Sequence, residues 1–275
     1  MENQVHEIPA SPREFHLEMP LYKEIANTEA NSEGILELLD FSGTIDAYCI
    51  YCGKESVFQN SHRPEWNFEE FKFYVEGESE TYIKTSYVCT RNDAHEYQSY
   101  FRLSNSMIQK VGQFPSVADL QIPQIQKYRK LLGNGKYKEF TRAIGLAAHG
   151  VGIGSFVYLR RVFEGLIEQA HSAASQRPGF DEKKYEPSRI EDKIMLLKGF
   201  LPKFLVQHRS IYSILSKGIH ELSEEECLEY FNPIRTGIEL ILDEKIKELE
   251  REEKEKKASQ SIGRIAGGLK AENDD

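Results

Sequence analysis

The hydrophobic pattern changes character once along the chain. Up to about residue 115, apolar positions come in short runs rich in aromatic and β-branched side chains, the texture of half-buried strands. Phe71-Lys72-Phe73-Tyr74-Val75, Thr81-Tyr82-Ile83-Lys84-Thr85-Ser86-Tyr87-Val88 and Tyr97-Gln98-Ser99-Tyr100-Phe101-Arg102-Leu103 are the clearest predicted strands. After Phe114-Pro115 the apolar spacing becomes helical. Ser116 is placed to cap a helix opening at Val117, and Tyr137 to about Ser172 predicts a long helical stretch broken by glycines at 145, 150, 152 and 154. A polar loop with Pro178-Gly179 follows. Ser188-Arg189-Ile190-Glu191 and Ser223-Glu224-Glu225-Glu226 read as capping boxes that open further helices, with Pro202 restarting one between them. Charges of both signs crowd residues 243–257, and 258–275 reads as a frayed end. The pattern thus predicts a β module over 1–115, a helical domain over 116–250 and a charged flexible tail over 251–275.

Four residues carry the most specific chemistry. Cys49 and Cys52 form C-x2-C, and Cys89 and His95 form C-x5-H. Thiolates and an imidazole at such spacing can close a tetrahedral zinc site. Gly53 frees the backbone to turn after the first pair, and Thr90-Arg91-Asn92-Asp93 suits a turn between the second. The second knuckle follows one predicted strand and precedes another, the order a zinc ribbon needs, with a long insertion containing Trp66 between the knuckles. Four protein ligands leave no open position for activated water, so the predicted Zn2+ is structural. His62 is a substitute ligand should His95 not serve. The fourth cysteine, Cys227, stands in an acidic context and reads as a small buried apolar residue.

Composition narrows the class. The 275 residues are 40% hydrophobic and 29% charged, which fits a globular protein of one large or two modest domains. No apolar run approaches the roughly 20 residues that span a bilayer. The first residues resemble no export signal, so a cytoplasmic location and reduced cysteines are expected. A net charge of -9 argues against broad binding to duplex nucleic acid, which depends on many cationic contacts to phosphate. A local basic patch remains: Lys127, Arg129 and Lys130, with Lys136 and Lys138 beyond Leu132-Gly133-Asn134-Gly135. Arg160-Arg161 is a second candidate for RNA or phosphate. Its simpler role is ionic, since Arg160 and Glu164 stand i,i+4 on a helix.

Two motifs carry less than they first suggest. Gly150-Val151-Gly152-Ile153-Gly154 lies inside a helical pattern and lacks the dinucleotide-binding spacing, so it predicts close helix packing. His220-Glu221 opens like a metallopeptidase helix, but Glu224 stands where the second histidine belongs.

The helical half resembles the HEPN superfamily, and is similar to a bacterial domain of unknown function found among defence and conflict genes. The likeness covers roughly 137–250 and rests on Leu159-Arg160-Arg161 with Glu164, a long loop, a helix leading through Leu201-Pro202, a small-residue turn ending in His220, and a Glu-rich helix. It implies an all-helical, homodimeric fold whose active members are metal-independent ribonucleases using Arg-x4-6-His. His220 would match the family histidine. Ser213, Ile214 and Leu215 occupy the positions where the arginine should stand, Arg209 lies too far upstream, and Arg142 with His149 falls before the expected place. The expected fold class is therefore α+β: a zinc-ribbon-like β module followed by an all-helical HEPN-like bundle. The expected function is noncatalytic binding of RNA or a protein partner in defence or regulation. The alternatives are a metal-independent endoribonuclease using His220 as general base with Arg209 or Arg160 stabilising phosphate charge, and a purely structural adaptor.

Overall fold

A computed structural model describes residues 8–62, 68–76, 80–104 and 106–271. The N-terminal half is built on one curled antiparallel sheet of six strands, a half-barrel. The strands are β1 (Glu24–Ala26), β2 (Thr44–Cys49), β3 (Lys54–His62), β4 (Thr81–Cys89), β5 (Asn92–Ser104) and β6 (Met107–Phe114), in the spatial order β1-β6-β5-β4-β3-β2. Strands β2 to β6 form a meander, each paired with the next. Alternation places Ile83, Thr85, Tyr87 and Cys89 of β4, and Tyr97, Ser99, Phe101 and Leu103 of β5, on the buried face. A π-helical turn (Glu14–Glu18), helix α1 (Ser32–Leu39) and helix α2 (Phe68–Glu76) accompany the sheet, and Phe15, Ile35, Leu39 and Phe71 pack with Ile83, Phe101 and Ile108.

This corrects two expectations. The zinc-ribbon-like module is instead a six-stranded sheet with its own apolar core, and the two knuckles are hairpin turns within its meander. The predicted strand Phe71–Val75 is part of α2. A strand would bury Phe71 and Phe73 together. The helix turns them to different sides, so Phe71 is fully buried while Phe73 is exposed. Trp66 lies outside the described residues.

Inside the sheet sits a polar column that the hydrophobic pattern gave no sign of. His16 Nε2 donates to Leu38 O at 2.8 Å, and its Nδ1 lies 3.1 Å from Thr85 Oγ1. Burial pushes the imidazole down to about 3, so it is neutral and Nδ1 accepts from the threonine hydroxyl. Lys110 is fully buried beside it and donates to His16 O at 2.9 Å and Met19 O at 3.1 Å.

The C-terminal half is helical: α3 (Val117–Gln121), a 3-10 segment (Ile122–Tyr128), α4 (Arg129–Ala148), α5 (Gly152–Ser175), α6 (Glu182–Tyr185), α7 (Ile190–Leu196), α8 (Lys203–Gln207), α9 (Ser210–His220) and α10 (Glu224–Ala271). Ser116 and Asp119 form a capping box, and Ser223 and Glu226 exchange the same pair of hydrogen bonds. Ser188 does not cap α7. Its hydroxyl donates to Lys184 O at 2.6 Å, and Arg189 is the N-cap. The charged end of the chain continues α10 through Ala271 rather than fraying at 258. The expectation of an all-helical HEPN-like bundle is not supported: helices follow the curled sheet, and Leu120 of α3 packs into the sheet's own core beside Ile45 and Phe58.

The glycine run does what close packing requires. A methyl at Gly152 would stand 2.3 Å from Glu224 O and 2.8 Å from Cys227 Cβ. Gly152→Ala should therefore force α5 away from α10 and destabilise the protein by about 1–3 kcal/mol, the usual cost of overpacking. A urea midpoint equal to that of the wild type would contradict this.

Candidate metal centre

The two hairpin turns β2–β3 and β4–β5 project from the same end of the sheet, because Phe58 of β3 pairs with Cys89 and thereby sets the β2–β3 tip beside the β4–β5 tip. Cys49 ends β2, Cys52 lies in its turn, Cys89 ends β4 and His95 stands early in β5. Gly53 adopts φ 67, the left-handed region that costs glycine least, and its amide donates to Cys49 O at 2.9 Å, closing the first turn. In the second turn Asn92 Oδ1 accepts from the Ala94 amide at 3.0 Å, and the Thr90 amide reaches across to Val57 O at 2.9 Å.

These turns bring the four predicted ligands together. The three Sγ atoms and one His95 nitrogen all lie within 4.8 Å of one another, the only group of three or more such donors among the described residues. Cys52 Sγ stands 3.3 Å from His95 Nδ1 and 4.0 Å from Cys89 Sγ, and Cys49 Sγ stands 3.7 Å from His95 Nδ1. A tetrahedral zinc with bonds of about 2.3 Å to sulfur and 2.0 Å to nitrogen separates its ligand atoms by roughly 3.5–3.8 Å. The donor set suits Zn2+, and its separations of 3.3, 3.7 and 4.0 Å lie around that range. His62, at the exposed end of β3, is not among the four.

The surroundings hold the donors in place. Cys49 and Cys89 are buried in the core cluster with Phe58, Tyr87 and Tyr97, while Cys52 and His95 face partly outward. The Ser56 hydroxyl lies 3.1 Å from Cys89 Sγ, and the Cys52 amide donates to Cys49 Sγ at 3.4 Å. Tyr97 clamps the first knuckle from below: its hydroxyl donates to Tyr48 O at 2.6 Å and accepts from the Ile50 amide at 3.0 Å. Tyr51 stacks on the His95 ring with centroids 4.9 Å apart, fixing the imidazole plane.

Three thiols this close cannot behave alike. Burial raises the Cys89 thiol, but hydrogen bonds from Ser56 and from the backbone at Arg91 and Asn92 outweigh it and bring the group down to about 6. Burial and the neighbouring Cys49 and Cys89 push Cys52 up to about 11. Cys227 lies elsewhere, fully buried, its thiol donating to Gly218 O at 3.3 Å and pushed up to about 11 by burial and the nearby Glu224 and Glu226, as an inert core cysteine should be.

The other predicted site residues are not brought together. Arg209 is the N-cap of the eleven-residue helix α9, His220 is its last residue, and both are exposed. At 1.5 Å per residue that places their backbones about 16 Å apart. Arg160 pairs with Glu164 at 2.9 Å and donates to Tyr212 on α9 at 2.9 Å, and Arg161 pairs with Glu139 on α4 at 2.9 Å. Lys127 pairs with Asp243 on α10 at 2.6 Å. Arg129 lies over the Tyr137 ring, 5.8 Å from its centroid, and Lys130 is exposed. Arg160, Arg161 and Lys127 tie helices to one another, and within the basic patch Asp243 neutralises Lys127.

Ser56, Tyr51 and Tyr97 were missed by sequence reasoning. Tyr97 and Tyr51 flank the ligand spacing, but only the strand register shows which of the neighbouring aromatics reaches the knuckle. Ser56 carries no signal at all, because its role depends on β3 lying between β2 and β4. No helix of the described residues is long and apolar enough to cross a membrane. The sequence matches no protein-family model, no curated protein and no solved structure.

Proposed function

We propose that the protein is a zinc-stapled, noncatalytic binding module, in which one Zn2+ held by Cys49, Cys52, Cys89 and His95 locks the tips of two hairpins. The reading rests on one observation: four soft donors from two turns lie within 4.8 Å of one another. A site with four protein ligands has no open coordination position, so it supports structure rather than hydrolysis. Arg209 and His220 stand outside the Arg-x4-6-His spacing that the ribonuclease reading calls for. The engagement of Arg160, Arg161 and Lys127 in pairs between helices speaks for a rigid scaffold whose work is to hold a binding surface. Purified protein should contain about one zinc per chain, and Cys52→Ser should contain far less. Well-folded wild-type protein without zinc would end the reading.

A further inference from the structure

The outward face of the sheet carries three aromatic side chains, one on each of three adjacent strands. Tyr82 on β4, Tyr100 on β5 and Phe114 on β6 are 62%, 37% and 61% exposed. The β4–β5 pairing is regular here, and the β5–β6 pairing is regular from Phe114 to Gly112, beyond which the register shifts between Tyr100 and Phe101. Tyr82 pairs with Arg102 and Lys84 with Tyr100 across β4 and β5, while Tyr100 pairs with Gly112 and Gln98 with Phe114 across β5 and β6. Each aromatic is therefore one strand over and two residues along from the last. The three form a diagonal with steps of about 7–8 Å, the usual distance between diagonal neighbours on a sheet.

One detail fits this line to flat ligands. The phenol edges are tethered, Tyr100 to Gln98 Oε1 at 2.8 Å and Tyr82 to Glu80, so the rings are held in place before any ligand arrives. A cation stands beside each tyrosine. Arg102 neighbours Tyr82 and is held by two hydrogen bonds to Glu80 at 2.7 and 2.9 Å, and Lys84 neighbours Tyr100 with Glu96 at 3.9 Å.

From this geometry we infer that the outer face of β4–β6 binds an extended single-stranded oligonucleotide, its successive bases stacking on Tyr82, Tyr100 and Phe114 and its backbone passing Lys84 and Arg102. Stacking on aromatic side chains tolerates any base, because every base has a π-face. The acidic partners of both cations, and the chain's charge of -9, leave stacking as the main source of affinity and make the salt dependence shallow. A duplex keeps its bases inside and offers this face nothing to stack on. The inference rests on the proposed role as a binding module, and it moves nucleic-acid recognition from the helical patch at Lys127, Arg129 and Lys130 to the sheet.

Fluorescence anisotropy with labelled single-stranded RNA, single-stranded DNA and a duplex of the same sequence tests it, with zinc content measured on every sample. Single strands should bind at least tenfold more tightly than the duplex. Tyr100→Ala should weaken single-strand binding about tenfold, Tyr100→Phe should retain it, and Lys130→Glu should leave it unchanged. Equal binding of RNA and DNA would fit stacking alone, and a preference for RNA would add a contact to the 2′-hydroxyl. Folded, zinc-loaded protein that binds neither single strand would overturn the inference while leaving the zinc reading intact, and would leave the aromatic line to a protein partner. So would single-strand binding undiminished in a Tyr82→Ala, Tyr100→Ala, Phe114→Ala variant with an unchanged circular dichroism spectrum.

Discussion

Cys89→Ser should lose its zinc and about 3–5 kcal/mol of stability. A ligand present at a thousandfold over its dissociation constant stabilises the folded state by about 4 kcal/mol, and structural zinc commonly binds more tightly than that requires. Cys89 is the most exposing choice among the four. It is buried, it joins the core of Phe58, Tyr87 and Tyr97, and its sulfur meets the Ser56 hydroxyl. Serine there loses the thiolate and leaves a polar oxygen in apolar surroundings. Chelation of the wild type should reproduce most of the loss without any change of sequence. The unfolding midpoint in urea, with and without a zinc chelator, separates the two contributions. The remaining sheet should stay folded, because β1, β5 and β6 bury Ile25, Phe101, Leu103 and Ile108 in a cluster that contains no metal ligand. A chelator-insensitive wild type would show that the knuckles need no staple.

The second large effect lies in Lys110. Complete burial lowers its ammonium to about 7, with only carbonyl oxygens of His16 and Met19 as direct partners and Glu18 as the nearest counter-charge raising it. The unfolded chain holds the lysine proton to about 10.5, whereas the folded chain releases it near 7. Between those values the unfolded state binds more protons, so stability climbs with pH. At about 1.36 kcal/mol per pH unit, the rise from pH 7 to 10 amounts to roughly 3 kcal/mol. Lys110→Met should remove that slope, although it leaves two carbonyls without their donor and costs about 1–2 kcal/mol at pH 10. Measuring urea midpoints of both proteins across this window decides the matter. A wild-type curve no steeper than that of Lys110→Met would contradict the account. Cys227, held up near 11 by burial, works in the opposite direction above pH 9 in both proteins and cancels from the comparison.

The cluster of three cysteines and a histidine was legible in the sequence because its information is local. Spacing and turn chemistry at Cys49-Ile50-Tyr51-Cys52-Gly53 and at Cys89 to His95 suffice to name four ligands that the fold then joins. The sheet was only half legible. Strands β4 and β5 announce themselves by aromatic and β-branched runs, but the number of strands depends on which hairpins stack, and in β3 Ser56 is buried while Val57 faces outward, which blurs the alternation. Phe71 and Phe73 show the limit most directly, since alternation and helical spacing coincide over so short a run. His16 and Lys110 were illegible for a different reason. Each is a polar residue whose burial is made tolerable by long-range partners, and nothing in the neighbouring sequence reports those partners. Caps at Ser116 and Ser223 were read correctly from short local patterns, whereas Ser188 opens the same four-residue pattern and finds a nearer acceptor in Lys184 O. A family likeness built on short motifs likewise does not report the roughly 16 Å that α9 puts between the backbones of Arg209 and His220.

X-ray absorption at the zinc edge of the purified protein tests the central claim most directly. The account predicts one zinc per chain in a first shell of three sulfurs at about 2.3 Å and one nitrogen at about 2.0 Å. A shell of nitrogen and oxygen ligands, or protein that folds with no bound zinc, would contradict it.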